Sequence, residues 1–110
     1  MNKKLKNEAV DGLFRAVLHL ESVEECYAFF EDVCTVNELL SFAQRYEVAR
    51  MLHSGNTYLE IAERTGASTA TISRVNRSLN YGSDGYDMIF SRLEAEAAQA
   101  AQEAGTEKAE

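Results

Sequence analysis

Within ten residues the chain places four hydroxyl side chains, Ser68, Thr69, Thr71 and Ser73, a methyl group at Ala70, and two guanidinium groups, Arg74 and Arg77. Hydroxyls exchange hydrogen bonds with phosphate oxygens and base edges, methyl groups pack on thymine methyls, and guanidinium forks reach guanine or phosphate. The small groups come first and the basic ones follow, the order needed by a helix that enters a groove by its N-terminal end. No acidic residue lies between Arg64 and Asp84 to repel a polyanion. Ser68, Thr69, Ala70, Thr71, Ser73, Arg74 and Arg77 are therefore candidate contacts to double-stranded DNA.

Such a face works only when a second helix holds it at a steep angle across a tight turn, the geometry of a helix-turn-helix. Thr57 with Glu60 forms a capping box that opens a short helix, Tyr58 to Arg64. Thr65, Gly66 and Ala67 follow as the turn, and a second helix runs from about Ser68 to Leu79. Ala62 is small where the two helices cross, and Gly66 supplies the positive φ of the turn. Ile61, Ala62, Gly66, Ile72 and Val75 form the expected core of the motif, with Leu59 and Ala67 beside them. The same pattern also fits a helical hairpin that grips a protein, such as a component of the transcription machinery, and that is the alternative.

The rest of the chain reads as helices that must carry this head. There is no proline, and no sustained alternation of apolar and polar residues supports a strand. Leu5, Ala9, Leu13, Phe14, Val17 and Leu18 predict a first amphipathic helix ending near Leu20. Ser22 with Glu25 caps a second, whose stripe is Val23, Tyr27, Phe30 and Val33. Thr35 with Glu38 opens a third, in which Leu39, Phe42, Ala43, Tyr46, Ala49 and Leu52 face one way until Gly55 stops it. After the motif, Asn80 to Gly85 is a connector, and Asp84 caps a last helix containing Met88, Ile89 and Leu93. Residues 1–94 are thus expected as one helical DNA-binding domain and residues 95–110 as an Ala/Glu-rich tail, a frayed helix or disordered.

Composition excludes several classes. The net charge is −7, which argues against a protein that coats nucleic acid. The charge is unevenly spread: residues 1–38 sum to −4 and residues 82–110 to −5, whereas residues 39–81, with five arginines against three glutamates, sum to +2. A specific reader with one favourable face fits that distribution. No apolar run suits a membrane span or a signal-peptide core, so a cytoplasmic location without a membrane partner is expected. Cys26 and Cys34 read as buried free thiols. His19 and His53 have no partner in the sequence that would make a nucleophile or a metal site, and the glutamates at 21, 24, 25 and 31 are spread around a helix. Neither catalysis nor a metal is expected.

At these residues the chain resembles the Trp repressor superfamily, and within it the YerC/YecD-type Trp-repressor-related branch. The likeness rests on Thr35 to Leu39, on Gln44 to Val48, on Gly66 to Arg74 and on Asn76 to Leu79, and spans roughly Leu13 to Phe90. It implies an all-α Trp-repressor-like fold of six helices in an intertwined homodimer, with the first three helices interlocked between subunits. It also implies a transcriptional repressor whose two heads, one DNA turn apart, each meet a half-site of a near-palindromic operator. In the tryptophan-responsive member of that superfamily, tryptophan lies between two arginines matching Arg45 and Arg74, beside backbone near the match to Thr35. Thr35, Arg45 and Arg74 are therefore a candidate effector pocket. That member has glycine where this chain has Val75, and the missing side chain makes room for the indole. Val75 fills this room, so tryptophan is not an expected cofactor, and a different small-molecule effector is left open.

Overall fold

Local capping decides where the first five helices of this chain begin. The computed structural model describes residues 2–109, with side chains through residue 106. They form α1 Glu8–Val17, α2 Val23–Val33, α3 Val36–His53, α4 Tyr58–Thr65, α5 Thr69–Tyr81 and α6 Gly85–Ala109, an all-α architecture without strands among the described residues. Met1 and Glu110, the outer ends of the two stretches assigned from composition, lie outside the described residues. The chain divides into two units, Met1–Ala43 and Gln44–Glu110.

In the first unit, the Asn7 side chain accepts from the Val10 amide at 3.0 Å. The cap starts α1 at Glu8 and leaves Leu5 in a preceding turn, so the helix is shorter than its apolar spacing predicts. The Ser22 hydroxyl accepts from the Glu25 amide, but the Glu25 carboxylate reaches back to the Glu21 amide. Thr35 and Glu38 bond each other reciprocally, at 2.9 and 3.1 Å. No described side chain of this unit is buried. Leu18 is 83% exposed and Val36 74% exposed, with Phe14, Val23, Tyr27 and Leu40 also open to solvent. The two cysteines are free thiols but not buried as expected: Cys26 is exposed and Cys34 only half-buried, because α2 encloses nothing.

The second unit has a dry core. Val48, Ala49 and Met51 of α3, Ile61 of α4, Ala67 of the turn, Ile72 and Val75 of α5 and Phe90 of α6 are buried in one cluster. Of the α3 stripe read in the sequence, Ala49 is enclosed and Leu52 packs against the cluster, whereas Phe42 and Tyr46 are exposed and the core also takes Val48 and Met51, which the stripe left out. A Schellman motif ends α3, with Gly55 at φ +88°, its amide on the Leu52 carbonyl and the Asn56 amide on the Met51 carbonyl. Asp84, expected to cap α6, stands at φ +63°, and its backbone carbonyl takes the Met88 amide. Phe90 stacks on Tyr86 at 5.9 Å between centroids and lies 4.9 Å from the His53 ring. His53 Nε2 is 2.9 Å from the Glu94 carboxylate. Beyond this contact α6 stays helical through the Ala-, Glu- and Gln-rich stretch to Ala109, and the side chains of residues 95–106 are exposed.

Phe90 is the part of α6 that the core encloses, with only 3% of its surface exposed. Replacing Phe90 with Ala is expected to cost about 3–5 kcal/mol of folding stability, a large share of a typical domain's total, and denaturant unfolding measures it.

Candidate nucleic-acid interface

The turn between α4 and α5 follows from three local devices. Thr57 and Glu60 form the capping box that starts α4: the Thr57 hydroxyl accepts from the Glu60 amide and the Glu60 carboxylate accepts from the Thr57 amide, both at 3.2 Å. Gly66 ends the helix at φ +74°, a conformation costly for any residue with a side chain, and its amide donates to the Ala62 carbonyl at 2.9 Å. The Thr65 hydroxyl donates to the Ile61 carbonyl at 2.7 Å and accepts from the Ala67 amide at 3.1 Å. The chain is thereby turned and delivered to Ser68, whose oxygen accepts from the Thr71 amide and starts α5.

On α5 the residues divide cleanly by face. Ile72 and Val75 are buried and Leu79 is partly buried, at three- and four-residue steps. Thr69, Ala70, Ser73, Arg74 and Arg77 are exposed on the remaining surface, and the first turn holds no acid. Thr71 is half-buried, and the Ser68 hydroxyl donates to its oxygen at 3.1 Å. The protons and lone pairs of these two are thus partly used within the cap, and Thr69, Ala70, Ser73, Arg74 and Arg77 form the outward set. Of the motif core, Ile61, Ile72 and Val75 are enclosed, Ala62 packs against them half-buried, and Gly66 holds the left-handed turn. Leu59 does not belong to the wedge: it is 70% exposed, because α4 turns Ile61 rather than Leu59 into the cluster.

The three residues proposed for an effector fall in both units. Thr35 caps α3 in the first, while Arg45 and Arg74 are exposed on α3 and α5 of the second. Glu47 is chelated by Arg50, whose Nε donates to it at 3.0 Å. That bond, with the Arg50 and Arg64 charges, holds its carboxyl below the usual glutamate range. His19 Nδ1 lies 2.7 Å from the Arg15 carbonyl. Among the described residues, no group of three His, Cys, Asp or Glu side chains converges as a metal would require.

Sequence reasoning overlooked Gln44 as part of this architecture. Its Nε2 donates across to the Thr65 carbonyl at 3.1 Å. No local sequence pattern marks this bond, because its partners stand 21 residues apart.

The helical fold and the turn between α4 and α5 define a helix-turn-helix protein. Its family is shown by comparison: the family described as Trp repressor protein matches residues 8–94, and the chain belongs to it. It is 59% identical over 90 residues to the uncharacterized protein YerC of Bacillus subtilis (strain 168), covering 82% of this chain and 86% of that protein. The crystal structure of a TrpR-like protein from Eubacterium eligens ATCC 27750 is similar with a TM-score of 0.82 and 67% identity, over 84% of this chain and 96% of that one. A candidate Trp repressor from Staphylococcus aureus superposes with a TM-score of 0.81 at 55% identity, over 84% of this chain and 92% of that one.

The capping box also gives the motif an acid limit. Bonds from the Thr57 backbone, the Asn56 side chain and the Thr57 side chain hold the Glu60 carboxyl below its ordinary value of 4.5. A carboxyl lowered by folding contributes stability that is complete above its unfolded value and lost as pH falls through the folded one. Glu38, lowered by the Thr35 backbone and side chain, acts in the same direction at α3. Glu60→Gln removes one such titration, so the variant should lose less stability than the parent chain between about pH 6 and pH 3, as thermal unfolding across that range would record.

Proposed function

We propose that this protein is a sequence-specific DNA-binding transcriptional regulator, a repressor, that reads a near-palindromic operator as a homodimer. The observation that carries the reading is the exposed, acid-free face of α5, with Arg74 and Arg77 outward and Ile72 and Val75 anchored behind it. Membership of the Trp repressor family supports it. A helix backed by a rigid core presents small groups to base edges and arginines to phosphates, which is the division of labour of a recognition helix.

The homodimer is supported by the first unit. Fully burying one exposed Leu, Val or Phe is worth about 1.5–3 kcal/mol, and α1, α2 and the start of α3 leave many such groups in water. A second copy that covers them gives each chain the core its N-terminal helices lack. We read the protein as a regulator and not an enzyme, and as independent of tryptophan. What supports the latter is Val75, 2% exposed within the apolar cluster, at the position where the tryptophan-responsive member of the superfamily has glycine. The net charge of −7 favours a second reading, a protein-binding module of the transcription machinery. Salt separates the two, since phosphate contacts release counterions on binding and an apolar protein interface does not.

Selection of random duplex DNA on the purified protein at near-physiological salt, with sedimentation of the same sample, tests the reading. A near-palindromic site should be enriched by a species of twice 12.3 kDa. Its affinity should fall steeply with salt, stay unchanged on adding tryptophan, and drop about tenfold or more in Arg77→Glu. A well-folded dimer that enriches no site contradicts unaided operator reading and favours an effector-requiring repressor or the protein-binding module.

A further inference from the structure

Gln44 joins α3 to the turn of the reading head by a bond between residues 21 apart in sequence. Its acceptor, the Thr65 carbonyl, belongs to the last residue of α4, where carbonyls have no helical amide to accept from. Thr65 in turn holds the Ala67 amide through its hydroxyl, and Ala67 immediately precedes Ser68, the cap of α5. A continuous hydrogen-bonded line thus runs from α3 through Gln44, Thr65 and Ala67 to the start of the recognition helix.

The apolar cluster alone leaves one freedom unconstrained. Hydrophobic contact is non-directional, so Ile61, Ile72 and Val75 packed with Val48 and Met51 set the spacing of the helices more firmly than their rotation. A hydrogen bond weakens steeply with angle, so the Gln44 tie fixes the orientation of the turn. We infer that Gln44 is a positioning residue for DNA recognition: it touches no base or phosphate, and acts by locking the turn that aims Thr69, Ala70 and Ser73. The inference rests on the DNA-binding reading above. Short hydroxyl and methyl contacts to base edges tolerate little misalignment, whereas long arginine side chains follow a phosphate that has moved. Loss of the tie therefore reduces discrimination more than general affinity.

The test compares the full chain with Gln44→Met, which keeps the length and the apolar stem but donates no hydrogen bond. Three readouts are taken: amide hydrogen exchange at Gly66 and Ala67, affinity for the selected duplex, and affinity for an unrelated duplex across a salt series. Gln44→Met should speed exchange at Ala67 and weaken binding to the selected duplex about five- to tenfold. Affinity for the unrelated duplex and its salt slope should stay within about twofold. Equal loss on both duplexes together with a lower melting temperature would assign Gln44 a merely structural role and overturn the inference, as would unchanged discrimination. Should the parent chain bind no selected duplex, the DNA-binding reading fails instead. Exchange at Ala67 then decides alone: acceleration upholds the lock on the turn, and no change removes it.

Discussion

Ile61 and Ile72, both fully enclosed, sit in the cluster through which α4 and α5 share a core, and the remaining features of the reading head depend on that burial. Ala62 packs half-buried against that cluster, and the chain has to reverse within a few residues, which explains Gly66 at φ +74°. With Ile72 and Val75 committed inward, helical periodicity alone sends Ala70, Ser73, Arg74 and Arg77 outward. The surface offered to a ligand is a consequence of the packing behind it.

Two short helices cannot enclose such a core by themselves. α4 has eight residues and α5 thirteen, and short helices are marginal in water without tertiary support. α3 supplies it with Val48, Ala49 and Met51, and α6 with Phe90. The polar layer has a different task. The Thr57–Glu60 box, the Thr65 hydroxyl and the Gln44 amide satisfy backbone groups at the ends of α4 and add direction to contacts that would otherwise fix only distance. Charge is arranged to the same end: Glu60 belongs to the cap of α4 and Glu47 to an ion pair with Arg50 on α3, and α5 carries no acid.

Much of this was legible from residue types. Cap residues announce themselves because few side chains can hold a free amide, so Ser22, Thr35 and Thr57 place three helix starts closely. Gly55 and Gly66 likewise mark the ends they form. What the sequence concealed has physical causes. α3 carries apolar residues on more than one face, so a stripe that rightly includes Ala49 and Leu52 did not reveal that Val48 and Met51 are enclosed beside them while Phe42 and Tyr46 stay exposed. Leu59 and Ile61 are two residues apart on a helix and cannot share a face, yet hydrophobicity alone does not say which one packs. Gln44 was invisible as a tie because a hydrogen bond between residues 21 apart leaves no local pattern. The exposure of α1 and α2 is unreadable too, since an amphipathic stripe looks the same whether its own chain or a second one covers it.

The central claim is that α5, and not another surface of the molecule, meets nucleic acid. The most direct measurement is a map of backbone amide chemical-shift changes as a duplex is titrated into isotope-labelled protein. The account predicts the largest changes at the start and outer face of α5, from Ser68 to Arg77, with small ones along residues 95–106 of α6, where the acidic side chains are exposed. Changes centred on α1, α2 or α6, with Thr69, Ala70 and Ser73 unmoved, would contradict it.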